Sequence, residues 1–428
     1  MARAVSPRRR LPVPSGHELV QRDVTERADV LVIGGGIVGA ASAYHLARAG
    51  LSVTLVEARS LAYGASGRNL GFLWVHTRKK GPELSLVMNT RSQLAELVGD
   101  LDYDVHLRPN GGMVYWHDER QTPVMHEFVE QRVADGVPMR LLSAAEAREQ
   151  APILDESVVG ATWCDLDAQI EPTRWVQGFA TAAARHGAKI LEGVRVDRLR
   201  RSGSRVTGAE TSVGVLEAGE VVLAAGGWTP EIAKTVGIDI PVHPMRLQIV
   251  QSAPFAVETR PLMYGVTALK QYAVFQDLPS FDESLFVHEL ERRMDMLMLE
   301  CFCQKADGSY LLGCSMDYPG FRMEADLRGV SLINEVLMEH VPKLRDAGFA
   351  KAWAGILPYT VDNLPIIDRV PDADGLVVAA GHVFGNGAGP TTGSLVASIV
   401  TGSEPVIPLE PFRAVRDGLA VGASASTW

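Results

Sequence analysis

Residues 28–33 form a mostly apolar run that reads as a buried strand, and the run passes directly into Gly34, Gly35 and Gly36. Alanines and Leu46 then recur at helical spacing as far as Gly50, a natural helix stop. A second apolar strand, residues 53–57, follows and ends on Glu57. This pattern predicts a βαβ unit at the start of the ordered chain. Further on, Pro172 and Gly187 bracket a stretch in which Trp175, Phe179, Ala182 and Ala183 share one helical face, so a helix is expected there. Residues 189–196 read as a strand, and residues 202–219 as a β meander with turns at Ser202-Gly203 and Ala218-Gly219. Two later apolar strands end in glycines: residues 220–225 run into Gly226-Gly227 ahead of Pro230, and residues 375–380 run into the loop from Gly381 to Gly389 and a helix start. Residues 281–300 are charged and methionine-rich with amphipathic spacing, which predicts a helix that packs on its own domain or docks a partner subunit.

Glycine is the compositional excess, with 41 residues in 428 against an average of about 7%. Its clusters carry the chemistry. Gly34, Gly36 and Gly39 stand in GxGxxG register after a strand and before a helix, with Glu57 at the end of the next strand. In such a unit the first glycine makes the tight turn, the second lets backbone approach a pyrophosphate and the third lets helix pack on strand. The acid can accept hydrogen bonds from a ribose diol. This fingerprint alone fits NAD or FAD. The small-residue loop from Ala62 to Gly71 stands where a nicotinamide dehydrogenase would usually start another helix, and it implies backbone close to something flat.

The net charge of −10 offers no broad basic field for nucleic acid or anionic lipid. No window of about 18 apolar residues is present, so no membrane span is expected. Four cysteines without CxxC spacing suit a reducing compartment, the cytoplasm. Cys301 and Cys303, two apart, would share a strand face with Cys314 nearby, but no histidine or fourth cysteine completes a metal set, and no metal is expected.

Five ordered motifs together resemble the D-amino-acid-oxidase-type (DAO) superfamily of FAD-dependent amine oxidoreductases, which includes glycine and sarcosine oxidases. They are Gly34 to Gly39 with Glu57, residues 64–69, residues 223–228, residues 353–367 and residues 380–393. Within it, the runs at Met263, Leu357 and Gly381 look most like the catalytic β subunits of opine oxidase, hydroxyproline dehydrogenase and hydrogen cyanide synthase. The resemblance implies an α/β architecture, α+β overall: a Rossmann-like FAD-binding domain of the DAO and glutathione-reductase type, with a substrate domain on a mainly antiparallel sheet. The FAD domain would comprise residues 28–90, 168–240 and 350–412, and the substrate or interface domain residues 91–167 and 241–349. Residues 1–27 would be a flexible arm and residues 413–428 a tail.

The same resemblance implies noncovalent FAD held by Gly34, Gly36, Ile37, Val38 and Gly39; by Glu57, Ala58 and Arg59; by Ala65, Ser66, Arg68, Asn69 and Leu70; and by Val196, Ala225, Gly226 and Trp228. Gly355, Leu357, Gly385, Asn386 and Gly387 complete that set. The reaction implied is transfer of hydride from the carbon beside nitrogen of an amine or amino-acid derivative to flavin N5, leaving an imine that water hydrolyses. His382, Tyr264, Tyr272, His76 and Tyr359 are the candidate catalytic residues, with Lys270 and Arg246 as weaker pocket candidates. Three departures stand out: Leu357 replaces the arginine that clamps a substrate carboxylate in glycine oxidases, Gly355 stands where some sarcosine oxidases attach FAD to cysteine, and Leu311 stands where they place a lysine for oxygen activation. A homo-oligomer, or a flavin-carrying subunit inactive without a partner, is the alternative reading. A flavin monooxygenase fits the motifs at 353–367 and 380–393 less well.

Overall fold

The computed structural model describes residues 26–419. The expected N-terminal arm lies almost wholly outside them. Two eight-stranded sheets organise the chain. The first runs Ile366–Arg369, Leu376–Ala380, Gly214–Leu223, Glu26–Ile33, Val53–Glu57, Lys189–Glu192, and its last five strands are parallel. Val30 and Val32 of the opening strand enter one core while Leu31 and Ile33 enter another. Burial on both faces explains why that strand reads as a nearly continuous apolar run.

On one face lie the helices Ile37–Arg48, Pro172–Arg185 and Gly385–Thr401, packed through Tyr44, Trp175, Phe179 and Leu395. The other face is covered by the meander Val196–Ser202, Arg205–Thr211, Gly214–Leu223. Gly39 is required where the first helix meets the first strand, because a Cβ there would collide with the Gly34 carbonyl oxygen. Gly34 itself has φ +112°, which an L side chain rarely adopts.

The second sheet runs Phe349–Tyr359, His243–Pro254, Ser309–Asp317, Leu297–Gln304, Leu262–Gly265, Gly112–Trp116, Gly160–Cys164, Met139–Ser143. All its neighbours are antiparallel except Leu262–Gly265 with Gly112–Trp116.

Four expectations need correction. Residues 349–359 belong to the second sheet, because they pair along the whole of His243–Ser252, and not to the nucleotide-side segment 350–412. Leu94 and Leu101, expected in the substrate domain, pack into the core of the first sheet. Residues 281–300 are not one helix: a capping box at His288 starts Glu289–Met294, Asp295 turns left-handed, and a strand begins at Leu297. From Leu297 onward, antiparallel pairing with the strand that begins at Ser309 overrides the helical spacing. The strand at 189–196 breaks at Gly193, φ +74°. Of the tail, Arg416 clasps Asp362 in a two-pronged ion pair at 2.7 and 2.9 Å. No helix among the described residues is long and apolar enough to cross a membrane.

Candidate active site

One cavity of about 620 Å³ lies between the C-terminal end of the first sheet and a face of the second. Two helices open onto it, at Gly36 and at Phe384, and neither N-cap supplies a side-chain hydrogen bond. Ser66 Oγ takes the N–H of Ile37, and the remaining first-turn N–H groups with the helix dipoles favour an anion or an electron-rich edge there.

The two N-termini are held close because the helices cross on small residues. Gly389 faces Ile37, and a Cβ on Gly393 would lie 2.7 Å from the Ala41 carbonyl oxygen. Asn386 Nδ2 also donates to Asn69 Oδ1 at 2.9 Å, tying the late glycine loop to the early one. Asn69 is a hub: Oδ1 also accepts from Gly71 N, and Nδ2 donates to the carbonyls of Ala65 and Ser66.

At the sheet edge Glu57 Oε2 accepts from Gly35 N and Oε1 from Arg59 N, each at 2.8 Å. A carboxylate has about four acceptor positions, so two remain for a diol. Ser66 Oγ accepts from Ile37 N at 3.0 Å and keeps its own proton to donate. Ala58, Ala65, Val196, Ala225, Gly226 and Trp228 also line this part of the cavity.

The opposite part is an aromatic chamber. Tyr264 stacks on Trp74 with centroids 4.2 Å apart, Phe72 lies 5.7 Å from Tyr264, and Tyr272 donates to the Tyr264 hydroxyl at 3.4 Å. Burial pushes both phenols up, so they stay neutral. His382 reaches Thr392 Oγ1 at 2.8 Å, and burial drives its imidazole down to about 3, so it too is neutral.

The structure thus brings together around one cavity Gly34, Gly36, Ile37, Val38, Glu57, Ala58, Arg59, Ala65, Ser66, Asn69, Leu70, Val196, Ala225, Gly226, Trp228, Leu357, Gly385, Asn386, Tyr264, Tyr272 and His382. It leaves others behind the cavity wall. Gly39 serves helix packing, and a side chain on Gly387 would meet Val87. Arg68 donates to the carbonyls of Tyr63 and Ala354, and Gly355 lies against it.

His76 is turned away: it is fully buried, with Nδ1 on Asp167 at 2.8 Å and Nε2 on Thr162 at 2.6 Å, so both nitrogens are spent on structure. Tyr359 packs between His243 and Tyr318 off the cavity. Arg246 is locked by Asp317 and Asp326, and Lys270 by Glu291. All four cysteines are free and buried, and Cys301 and Cys314 line the chamber. Burial pushes the Cys303 thiol up to about 12.

Sequence reasoning missed Phe72, Trp74 and Arg78 as wall residues. Their alternation after Gly71 was the available signal.

Comparison with known proteins places the chain plainly. The family model described as FAD dependent oxidoreductase, DAO, matches residues 29–402. Glycine oxidase from Geobacillus kaustophilus is 27% identical over 92% of this chain and 98% of its own. A crystal structure of that enzyme superposes with TM-score 0.79 at 26% identity, covering 92% of this chain and 99% of the other. Hydrogen cyanide synthase subunit HcnC from Pseudomonas aeruginosa is 25% identical, covering 91% and 96% of the two chains. Sarcosine oxidase subunit beta from Rhizobium meliloti is 25% identical, covering 92% and 90%. With the glycine-turned strand–helix unit, the carboxylate of Glu57 at the next strand end and the second helix N-terminus around one cavity, these matches make the chain a member of the DAO family of FAD-dependent oxidoreductases.

Proposed function

We propose that this FAD-dependent oxidoreductase oxidises the carbon–nitrogen bond of a small amine or amino-acid derivative, giving an imine that water hydrolyses. The observation that carries the reading is the aromatic chamber of neutral phenols and neutral imidazole joined, in one cavity, to two helix N-termini.

Bound FAD supplies the two-electron acceptor. The residues present fit it. Glu57 would hold the ribose diol with its two remaining acceptor positions, and the Ser66 hydroxyl with the amides of Gly36 and Val38 would hold the diphosphate. Val196 would serve the adenine end, and Gly385 and Asn386 would present amides to the edge on which negative charge collects.

Removal of hydride from a neutral amine needs no strong base beside it. Burial keeps His382, Tyr264 and Tyr272 uncharged, so none of them competes for the amine as an ion. Phe72, Trp74 and Tyr264 exclude water and confine the substrate, which converts encounter into orientation. Gly355 in place of a cysteine supports noncovalent FAD, and free buried thiols support a reducing setting, the cytoplasm.

Purified holoprotein mixed anaerobically with glycine, sarcosine or L-proline tests the reading: bleaching of the flavin spectrum is expected. Two relatives are named as subunits, which supports a heteromeric form in which electrons leave to a partner. A bound flavin that bleaches only after partner is added favours that form, and reduction by nicotinamide alone refutes both.

A further inference from the structure

Arg78 is the cation of the aromatic chamber. Two other arginines on the described cavity wall, Arg59 and Arg195, are exposed beside Glu57 and Val196. Arg78 is 3% exposed, and its guanidinium lies 4.6 Å from the Phe384 ring centroid and 5.2 Å from that of Tyr272, both wall residues.

Its hydrogen bonds are incomplete. One terminal nitrogen donates to Glu83 Oε1 at 2.8 Å and the other to Thr77 Oγ1 at 3.1 Å, while buried Nε has no partner. The Nε–H edge of a guanidinium is one of the faces that takes a carboxylate in two-pronged fashion. Thr77 in turn accepts from Trp74 Nε1 at 3.1 Å, which fixes the group against the chamber wall. Glu83 compensates only in part, since burial pushes its carboxyl up against the pull of Arg78.

The position at which the resemblance places a carboxylate-clamping arginine is Leu357, an apolar wall residue. Among the described residues the chamber therefore has a buried, half-satisfied fork and no second cation. We propose that Arg78 recognises an anionic group, a carboxylate, of the substrate and so positions its amine carbon, making the substrate an amino acid or N-substituted amino acid and not an uncharged amine. The inference rests on the amine-oxidising reading above.

Holoprotein is titrated with anthranilate and with its neutral counterpart anthranilamide, followed by perturbation of the flavin spectrum. Wild type prefers the carboxylate by about tenfold or more, as a charge-assisted fork requires. Arg78→Met, and Arg78→Met/Glu83→Gln, which removes the carboxylate otherwise stranded, bind both probes within about twofold and keep full flavin content. Glu83→Gln alone retains or strengthens the preference, and Arg78→Lys retains part of it. A preference that survives in Arg78→Met, or wild type with no preference or no response to either probe, overturns the proposal. Carboxylate preference in a protein whose flavin no amine bleaches would leave Arg78 as an anion site and sink the amine-oxidising reading instead.

Discussion

Gly393 sits in the helix Gly385–Thr401 where it crosses Ile37–Arg48, and replacing it with alanine sets two effects against each other. Alanine in a helix interior gains about 1 kcal/mol over glycine. The new Cβ, however, would lie 2.5 Å from the Ala41 carbonyl carbon, 2.7 Å from its oxygen and 2.8 Å from its Cβ. Ordinary contacts of this kind are about 3.5–4.0 Å, so the helices must part by roughly 1 Å. Two of the three atoms are backbone and cannot rotate away. Overpacking costs about 1–3 kcal/mol, and a rigid neighbour puts this site at the upper end, leaving a net loss of about 2 kcal/mol. Because both helix N-termini open on the cavity, the same parting should weaken FAD binding about tenfold. Gly99→Ala is the control: that helical glycine meets nothing within 4 Å, so alanine there should stabilise by about 1 kcal/mol. Thermal unfolding followed by circular dichroism, with FAD titration of the apoprotein, reads both quantities. A Gly393→Ala protein stabilised like Gly99→Ala, with unchanged FAD affinity, would refute the reasoning.

Three further outcomes are expected. His382 takes up a proton in the unfolded chain near the ordinary 6.5 but resists until about 3 when folded; its contribution is complete above 6.5 and falls as pH drops, by about 2 kcal/mol at pH 5. Urea midpoints at pH 7 and pH 5 should diverge less in His382→Asn than in wild type, and equal divergence would exclude this origin. Asn69→Ala strands the Gly71 N–H and leaves Asn386 Nδ2 only its 3.4 Å bond to the Phe72 carbonyl, costing about 2 kcal/mol; a double-mutant cycle with Asn386→Ala should show coupling of about 1 kcal/mol, and simple additivity would deny the bridge between the two glycine loops. Glu300 is fully buried; burial alone would raise its carboxyl, yet His340, Thr267 and Tyr115 together hold it down to about 2. Glu300→Ala leaves three partners unpaired and should cost about 3–5 kcal/mol in urea unfolding, with Glu300→Gln in between.

The motifs that resolved from sequence are those whose conformation is set within a few residues. Gly34 needs its positive φ, Gly39 its missing Cβ, and Glu57 its place at a strand end, whatever the rest of the chain does. Residues 281–300 failed the same treatment because their helical spacing competes with pairing to a strand that begins at Ser309. The strand Phe349–Tyr359 carries a motif of the nucleotide-binding part yet hydrogen-bonds into the other sheet, a choice made by its partner from His243 onward.

Local chain chemistry thus determined the strand–helix–strand cradle, the glycine loops and the acid at the end of the second strand. Tertiary structure alone decided the chamber. Trp74, Arg78, Tyr264, Tyr272 and Phe384 come from three distant segments, and which of their faces meet depends on the register of the second sheet and the crossing of two helices. His76 and Arg78 are two positions apart, yet one is consumed by Asp167 and Thr162 while the other keeps an open Nε. A side chain's chemistry is fixed by its type, but its availability is fixed by which partners the fold brings within hydrogen-bonding distance.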